Sequence, residues 1–260
     1  MLSARRKSDG QIVAAYFASK ATGPFVCSVC HDPVILKLGR NKVEHFAHEN
    51  PVACKFAKGE SDEHRQCKLE IYRNLATHAH VSDLALEKAV GNVRPDLSFE
   101  LNGFRIAIEV QISSLSVETI LKRTIEYGRE NIYVLWLLQW TPDLNTGRYA
   151  PKPWERWVHA AYFGRVYYWV KGATVVSYRF EPHFKTIPRK LWYSAGGKQM
   201  RTGGYSQKSK RFCTAIRDDT FDLATDFIPR QRYWWQVKDL KLPDAKLFMD
   251  SKSGFPASEF

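Results

Sequence analysis

No apolar run in these 260 residues approaches the ~20 that a membrane-crossing helix needs, so the chain reads as one without a membrane-embedded segment. Behind the basic N-terminus MLSARRKSDGQ there is no apolar stretch, which argues against a secretory signal. Cysteine is sparse and odd in number, five in all with four between residues 27 and 67. A fully paired disulfide framework is thereby excluded, and free thiols or a metal in a reducing cytoplasm are expected. Acids are missing altogether from residues 182–217, which carry nine Lys/Arg. Hydrophobic content of 44% and charged content of 25% are those of an ordinary globular chain, long enough for one large domain or two small ones.

The net charge of +12 is unevenly spread. Residues 1–58 hold 9 Lys/Arg against 4 acids, residues 59–141 hold 9 against 12, and residues 142–260 hold 21 against 11. An acidic centre between basic flanks suits a polyanion that is brought to a metal ion. The three stretches are expected as a metal module (1–58), a catalytic core (59–141) and a basic, aromatic-rich extension (142–260) for nucleic-acid or partner contact.

In the first stretch, Cys27-Ser-Val-Cys30 is followed by a strand at 34–37, a Gly39-Arg40-Asn41 turn and a second strand at 42–46. His45, His48 and Cys54 come next. This spacing approximates a zinc ribbon, with thiolate and imidazole ligands in a closed, structural Zn²⁺ site. Five ligands compete for four places, so one of His45, His48 and Cys54 is spare.

In the core, a helix is expected over 58–78, with Ser61, Asp62 and Glu63 at its start. Glu60, His64 and Lys68 recur every fourth residue and share a stripe with Ile71 and Leu75, which carries the polar head towards the sheet. A strand bearing Glu87 follows at 81–90. Then Arg94 to Ser114 contains two alternating runs around Asn102-Gly103, the strongest two-residue hairpin signal. The implied register pairs Leu97 with Ile108, Phe99 with Ile106 and Glu100 with Arg105, and sets Asp96 opposite Glu109. Like charges at that separation destabilise a hairpin unless a cation sits between them. Gln111 lies on the same face one pleat on. Two carboxylates sharing a hard divalent ion fit Mg²⁺ or Mn²⁺ chemistry on phosphate esters. A plainly polar outer face, neutralised by Arg94, is the alternative. A helix at 117–127 capped by Ser114 or Ser116, ended by Gly128, and a buried strand at 132–138 complete a parallel crossover.

Beyond Trp140, six of the eight tryptophans appear and strands are expected at 166–170 and 174–180, with irregular chain after them. Within it, Trp192, Tyr193 and Tyr205 interleave with Lys198, Arg201, Lys208, Lys210 and Arg211. A flexible basic loop of this kind suits stacking and phosphate contacts on nucleic acid. A solvated loop is the plain alternative.

Taken in order, CSVC, HFAH, Glu60-Ser61-x-x-His64-x-x-x-Lys68, Arg94-Pro95-Asp96, Ile108-Glu109-Val110-Gln111-x-Ser113, Arg123-Thr124-x-x-Tyr127 and VLWLL resemble the CoiA-like competence protein family, a branch of the PD-(D/E)xK nucleases. The resemblance covers residues 27 to about 140. It implies a restriction-endonuclease-like α/β fold, a mixed sheet flanked by helices, with a zinc-ribbon-like module and a β-rich extension. By position it implies that Asp96 and Glu109 hold Mg²⁺ or Mn²⁺, with a contribution from Glu60. The superfamily's usual lysine is replaced here by Gln111, which orients water but is neither base nor cation; Lys68, projecting from the helix, is the residue expected to supply that charge. The implied activity is DNA cleavage in uptake, recombination or defence against foreign DNA. The alternatives are a non-catalytic DNA-binding or recombination-mediating protein on the same fold, and an interaction subunit of a defence complex.

Overall fold

Asn102 and Gly103 turn the chain in left-handed conformations, with φ of 50° and 81°. The strands on either side, β7 (Leu97–Leu101) and β8 (Phe104–Gln111), pair in the expected register: Leu97 with Ile108, Phe99 with Ile106, Glu100 with Arg105. The structure is a computed structural model that describes residues 1–39, 42–50, 54, 60–237 and 240–252.

Five short strands form the N-terminal sheet, in the order β2-β1-β3-β4-β5, all antiparallel. They are β1 (Ser3–Arg6), β2 (Ile12–Ala14), β3 (Phe25–Val26), β4 (Pro33–Lys37) and β5 (His45–His48). The second strand of the CxxC hairpin was expected over 42–46; it begins at His45 and takes in both histidines, while Arg40 and Asn41 of the expected turn lie outside the described residues. This sheet has its own small core, including Phe25, Val34, Leu36 and Phe46. So little apolar burial leaves a module of this size short of stability without a further tie.

The second sheet holds nine strands, seven of them in the order β14-β11-β10-β9-β8-β7-β6. Ahead of it, α1 (Asp62–Leu75) is capped by the Ser61 hydroxyl, which accepts from the His64 N–H, and Asp62 and Glu63 fill its first turn. The expected span of 58–78 shortens at both ends, and Lys58 lies outside the described residues. Cys67, Ile71 and Leu75 put the helix on the core. β6 (Val81–Leu86) stops one residue before Glu87, whose φ is 52°. α2 (Val117–Arg129) is capped by Ser116, and its left-handed exit is Asn131 (φ 59°); Gly128, expected past the end, lies inside the helix. β9 (Tyr133–Gln139) runs parallel to β8, and Val134, Leu135 and Leu137 are fully buried. Each such side chain contributes about 1.5–3 kcal/mol on leaving water.

The sheet does not end at residue 141. After α3 (Pro153–Ala161), β10 (Val166–Lys171) runs parallel to β9, and β11 (Thr174–Ile187) and β14 (Tyr205–Asp222) extend the sheet antiparallel. Residues 182–217 were expected as a flexible loop. They are instead a two-stranded arm, closed at its tip by β12 (Lys190–Tyr193) and β13 (Gln199–Thr202). β15 (Phe227–Arg232), β16 (Trp235–Val237), β17 (Leu240–Leu242) and β18 (Ala245–Asp250) finish the fold, with β18 pairing β15 and meeting β9. The residues beyond 141 thus share a core with the hairpin, through Tyr167, Phe227 and Phe248 among others.

Candidate metal centres and the acidic cleft

Strand pairing decides which histidine joins the cysteines. His48 is opposite Val34, close to the CxxC, whereas His45 is opposite Lys37 at the far end of the β4–β5 ladder. Three residues of strand span about 10 Å and put the two rings on opposite faces. Ligand atoms of Cys27, Cys30, His48 and Cys54 all lie within 4.8 Å of one another, and Cys30 Sγ is 3.2 Å from His48 Nε2. The spare ligand is His45, whose Nδ1 is 2.9 Å from the Val43 carbonyl. The sequence alone implied that residues three apart on a strand take opposite faces, and the β4–β5 register chose between them.

A cleft of about 480 Å³ opens where the N-terminus of α1 meets the start of β7 and the end of β8. It brings together all six expected catalytic residues: Glu60, His64, Lys68, Asp96, Glu109 and Gln111. The α1 stripe does what its period implies. His64 Nδ1 is 2.9 Å from Glu60 Oε1, and its Nε2 is 3.3 Å from Asp96 Oδ2. Lys68, 2% exposed, sends its ammonium to Glu60 (2.5 Å), Glu87 (2.6 Å) and Asp96 (3.3 Å). Ligand atoms of Glu60, His64 and Asp96 fall within 4.8 Å of one another, a second group able to hold an ion.

Asp96 also accepts the Val110 N–H at 2.9 Å. Burial opposes its ionisation, but Lys68, the His64 hydrogen bond and the Val110 N–H outweigh it and hold the carboxyl below its ordinary range. Burial likewise works against the Lys68 charge, and Glu87, Asp96 and Glu60 overcome it. His64 follows the same logic: despite burial, Asp96 and Glu60 raise it to about 9, so a metal bound through this imidazole would first displace its proton.

Glu109 is placed differently. At 3% exposure it receives the Arg123 guanidinium and the Tyr127 hydroxyl from α2. Burial, reinforced by Asp96 and only partly offset by Arg123, pushes its carboxyl up to about 7. Asp96 and Glu109 line one cleft, as the hairpin register requires, while the tight three-ligand group pairs Asp96 with α1 instead. Gln111 turns its amide to Ser113. Arg94 donates to Glu87 (2.8 Å).

Glu87 is the member that sequence reasoning missed. It is 5% exposed and gathers Lys68, Arg94 and the Leu2 N–H. Its left-handed backbone, which ends β6, carries no sequence signal for a glutamate. The i, i+4 spacing of Arg123 and Tyr127 was the available sign that α2 faces Glu109. The expected nucleic-acid residues lie apart from the cleft, on the arm: Arg201 in β13, Lys198 beside it, and Lys208, Lys210 and Arg211 in β14.

Two family models match this chain in sequence order. The "Competence protein CoiA, N-terminal domain" model matches residues 10–57, and the "Competence protein CoiA, nuclease-like domain" model matches residues 60–149. The chain is also similar to Competence protein CoiA of Bacillus subtilis (strain 168), 30% identical over 115 residues. That match takes in 44% of this chain and 31% of the relative's length, so the chain spans about a third of the curated relative it matches. No solved structure matches. Among the described residues no helix is long and apolar enough to cross a membrane.

Proposed function

Because the chain belongs to the CoiA-like competence protein family, we propose that the acidic cleft hydrolyses DNA phosphodiester bonds with Mg²⁺ or Mn²⁺. The observation that carries this reading is the group Glu60, His64 and Asp96 within 4.8 Å, in a cleft also lined by Glu109. Carboxylate oxygens with a single imidazole fit a hard or borderline dication better than a thiophilic one. Such an ion would be held by Asp96 with Glu60, His64 or Glu109, and when bound would polarise the scissile phosphate and acidify water.

The chain's own groups supply the rest. Lys68, fixed by three carboxylates, places a permanent positive charge beside Asp96, where negative charge builds up on the phosphate. Glu109, poised at about 7, accepts a proton near neutral pH, a task Gln111 is unable to perform. Arg123 and Tyr127 orient it. In this reading Cys27, Cys30, His48 and Cys54 hold a structural Zn²⁺, since three thiols and an imidazole saturate a tetrahedral site.

The direct test is incubation of supercoiled plasmid with Mg²⁺ or Mn²⁺, comparing wild type with Asp96→Ala and Glu109→Gln. Metal-dependent nicking lost in both variants supports the enzyme. The capture of Glu109 by Arg123 and Tyr127 favours a second reading, a non-catalytic DNA-binding or recombination-mediating protein. Salt-sensitive DNA binding without cleavage, unchanged in both variants, selects it. The setting, in DNA uptake, recombination or a defence complex, is part of the proposal and follows the family.

A further inference from the structure

Residues 209–212 break the ladder of the arm. Pro182 pairs with Cys213 and Phe184 with Lys208, so β14 carries four residues where β11 has only His183. The extra chain bulges out and closes a pocket of about 420 Å³. Its walls include Arg148, Lys185, Lys208, Lys210 and Arg211, and no acid. Among the described residues none of these five cations is ion-paired.

The pocket is built rather than loose. The Phe212 N–H is bound by the Ser209 hydroxyl at 2.9 Å, and the Arg156 guanidinium donates to the Arg211 carbonyl at 2.8 Å. Tyr149 and Cys213 exchange backbone hydrogen bonds of 2.9 and 2.8 Å just below. Arg148 and Arg211 both lie over the Phe212 ring, 4.2 and 5.2 Å from its centroid, so two heads are held in place. Five like charges round one concavity repel each other, and an anion of matching size relieves that cost.

We infer that this bulge seats the phosphate backbone of duplex DNA, as an anchor separate from the acidic cleft. The topology places the two far apart. Gln111 is level with Leu138, Tyr168 and, on β11, Val176, while Phe184 is eight residues further along that strand. Eight residues of strand and three strand spacings put the pocket about 30 Å from the cleft. That is about nine base pairs at 3.4 Å each. A stiff duplex spans such a gap without having to be straightened, whereas a flexible single strand loses conformational freedom on being held at both points. The inference stands whether or not the cleft cuts.

The test is equilibrium binding of the full chain to a 30-base-pair duplex and a 30-nucleotide single strand across a salt series, without divalent ions and with Asp96→Ala in every arm. Replacing Lys208, Lys210 and Arg211 together by Gln is expected to weaken duplex binding by about tenfold or more, and to lower the salt slope by about 2–3. Exchanging Lys for Arg and Arg for Lys at the same three positions retains both. Because all three side chains are exposed, melting of the neutralised variant is expected to match wild type. Equal duplex affinity and slope in wild type and the neutralised triple overturn the inference, and so does a loss confined to the single strand. A failure of the cleavage proposal shows up separately, as an intact plasmid under Mg²⁺ or Mn²⁺.

Discussion

In the N-terminal module, Cys27, Cys30, His48 and Cys54 bring four ligand atoms together with a small apolar core beneath them. In the acidic cleft, Glu60, His64 and Asp96 also converge, but the protein's own cations already lie among them: Lys68 on three carboxylates, Arg94 on Glu87, Arg123 on Glu109. Thiols and a neutral imidazole need no counter-charge until a metal displaces their protons, so that cluster calls for no cation of the protein's own. Carboxylates near one another repel, and only internal cations make their burial tolerable. In the proposed reading, the difference would separate a closed site that holds an ion for stability from an open one that exchanges it for chemistry.

The largest expected effect lies in the thiol cluster. Cys30→Ser should abolish stoichiometric zinc and expose the first 58 residues to limited proteolysis, since a structural zinc contributes about 10–16 kcal/mol of apparent binding energy. His45→Ala should keep full zinc content by elemental analysis. Retention of zinc by Cys30→Ser would erase the contrast. Next comes Lys68→Met, which leaves Glu60, Glu87 and Asp96 without their shared ammonium and should cost about 3–5 kcal/mol in urea unfolding. An unchanged midpoint would mean the carboxylates do not depend on that charge.

The third prediction is a pH profile. In the folded chain His64 titrates at about 9 against an ordinary 6.5, because its carboxylate partners outweigh burial. Its contribution to stability is fully present below pH 6.5 and is lost as pH rises through about 9. Glu109, raised by burial from 4.5 to about 7, acts in the same direction: its neutral carboxyl stabilises below pH 4.5, and this is lost through about 7. His159 and the Met1 amine, both lowered by burial, pull the other way, so the readout is a difference: without added Mg²⁺ or Mn²⁺, the melting-temperature advantage of wild type over His64→Asn should shrink as pH rises from 6.5 to 9. The smallest effect is expected from Gln111→Lys. With Lys68 already supplying charge, any gain in nicking rate should stay below about tenfold, short of the 10²–10⁴ of a newly installed acid–base group. A larger gain would show that Lys68 acts only in folding.

Legibility followed the physics of each region. The hairpin was readable because its turn chemistry and its period-2 pattern are both local, and α1 and α2 announced themselves through Ser61 and Ser116. The arm was not. Its outer strands are largely exposed, with Phe184, Trp192, Tyr193 and Tyr205 all in solvent, so no apolar alternation marks them, and the glycines at 196, 197, 203 and 204 read as a loop. The Glu60–His64–Lys68 stripe was legible as a stripe, but its partner Glu87 was not, because it reaches Lys68 from another element.

What the chain alone determined were the features set by neighbours in sequence: the Asn-Gly turn and its register, the caps, the CxxC and the charge contrast between segments. Tertiary structure decided which histidine joins the cysteines, which cation meets which carboxylate, and where five basic residues enclose a pocket. Those outcomes depend on distances between strands and helices far apart in the chain, and pairwise electrostatics in a buried site change sharply over a few ångströms.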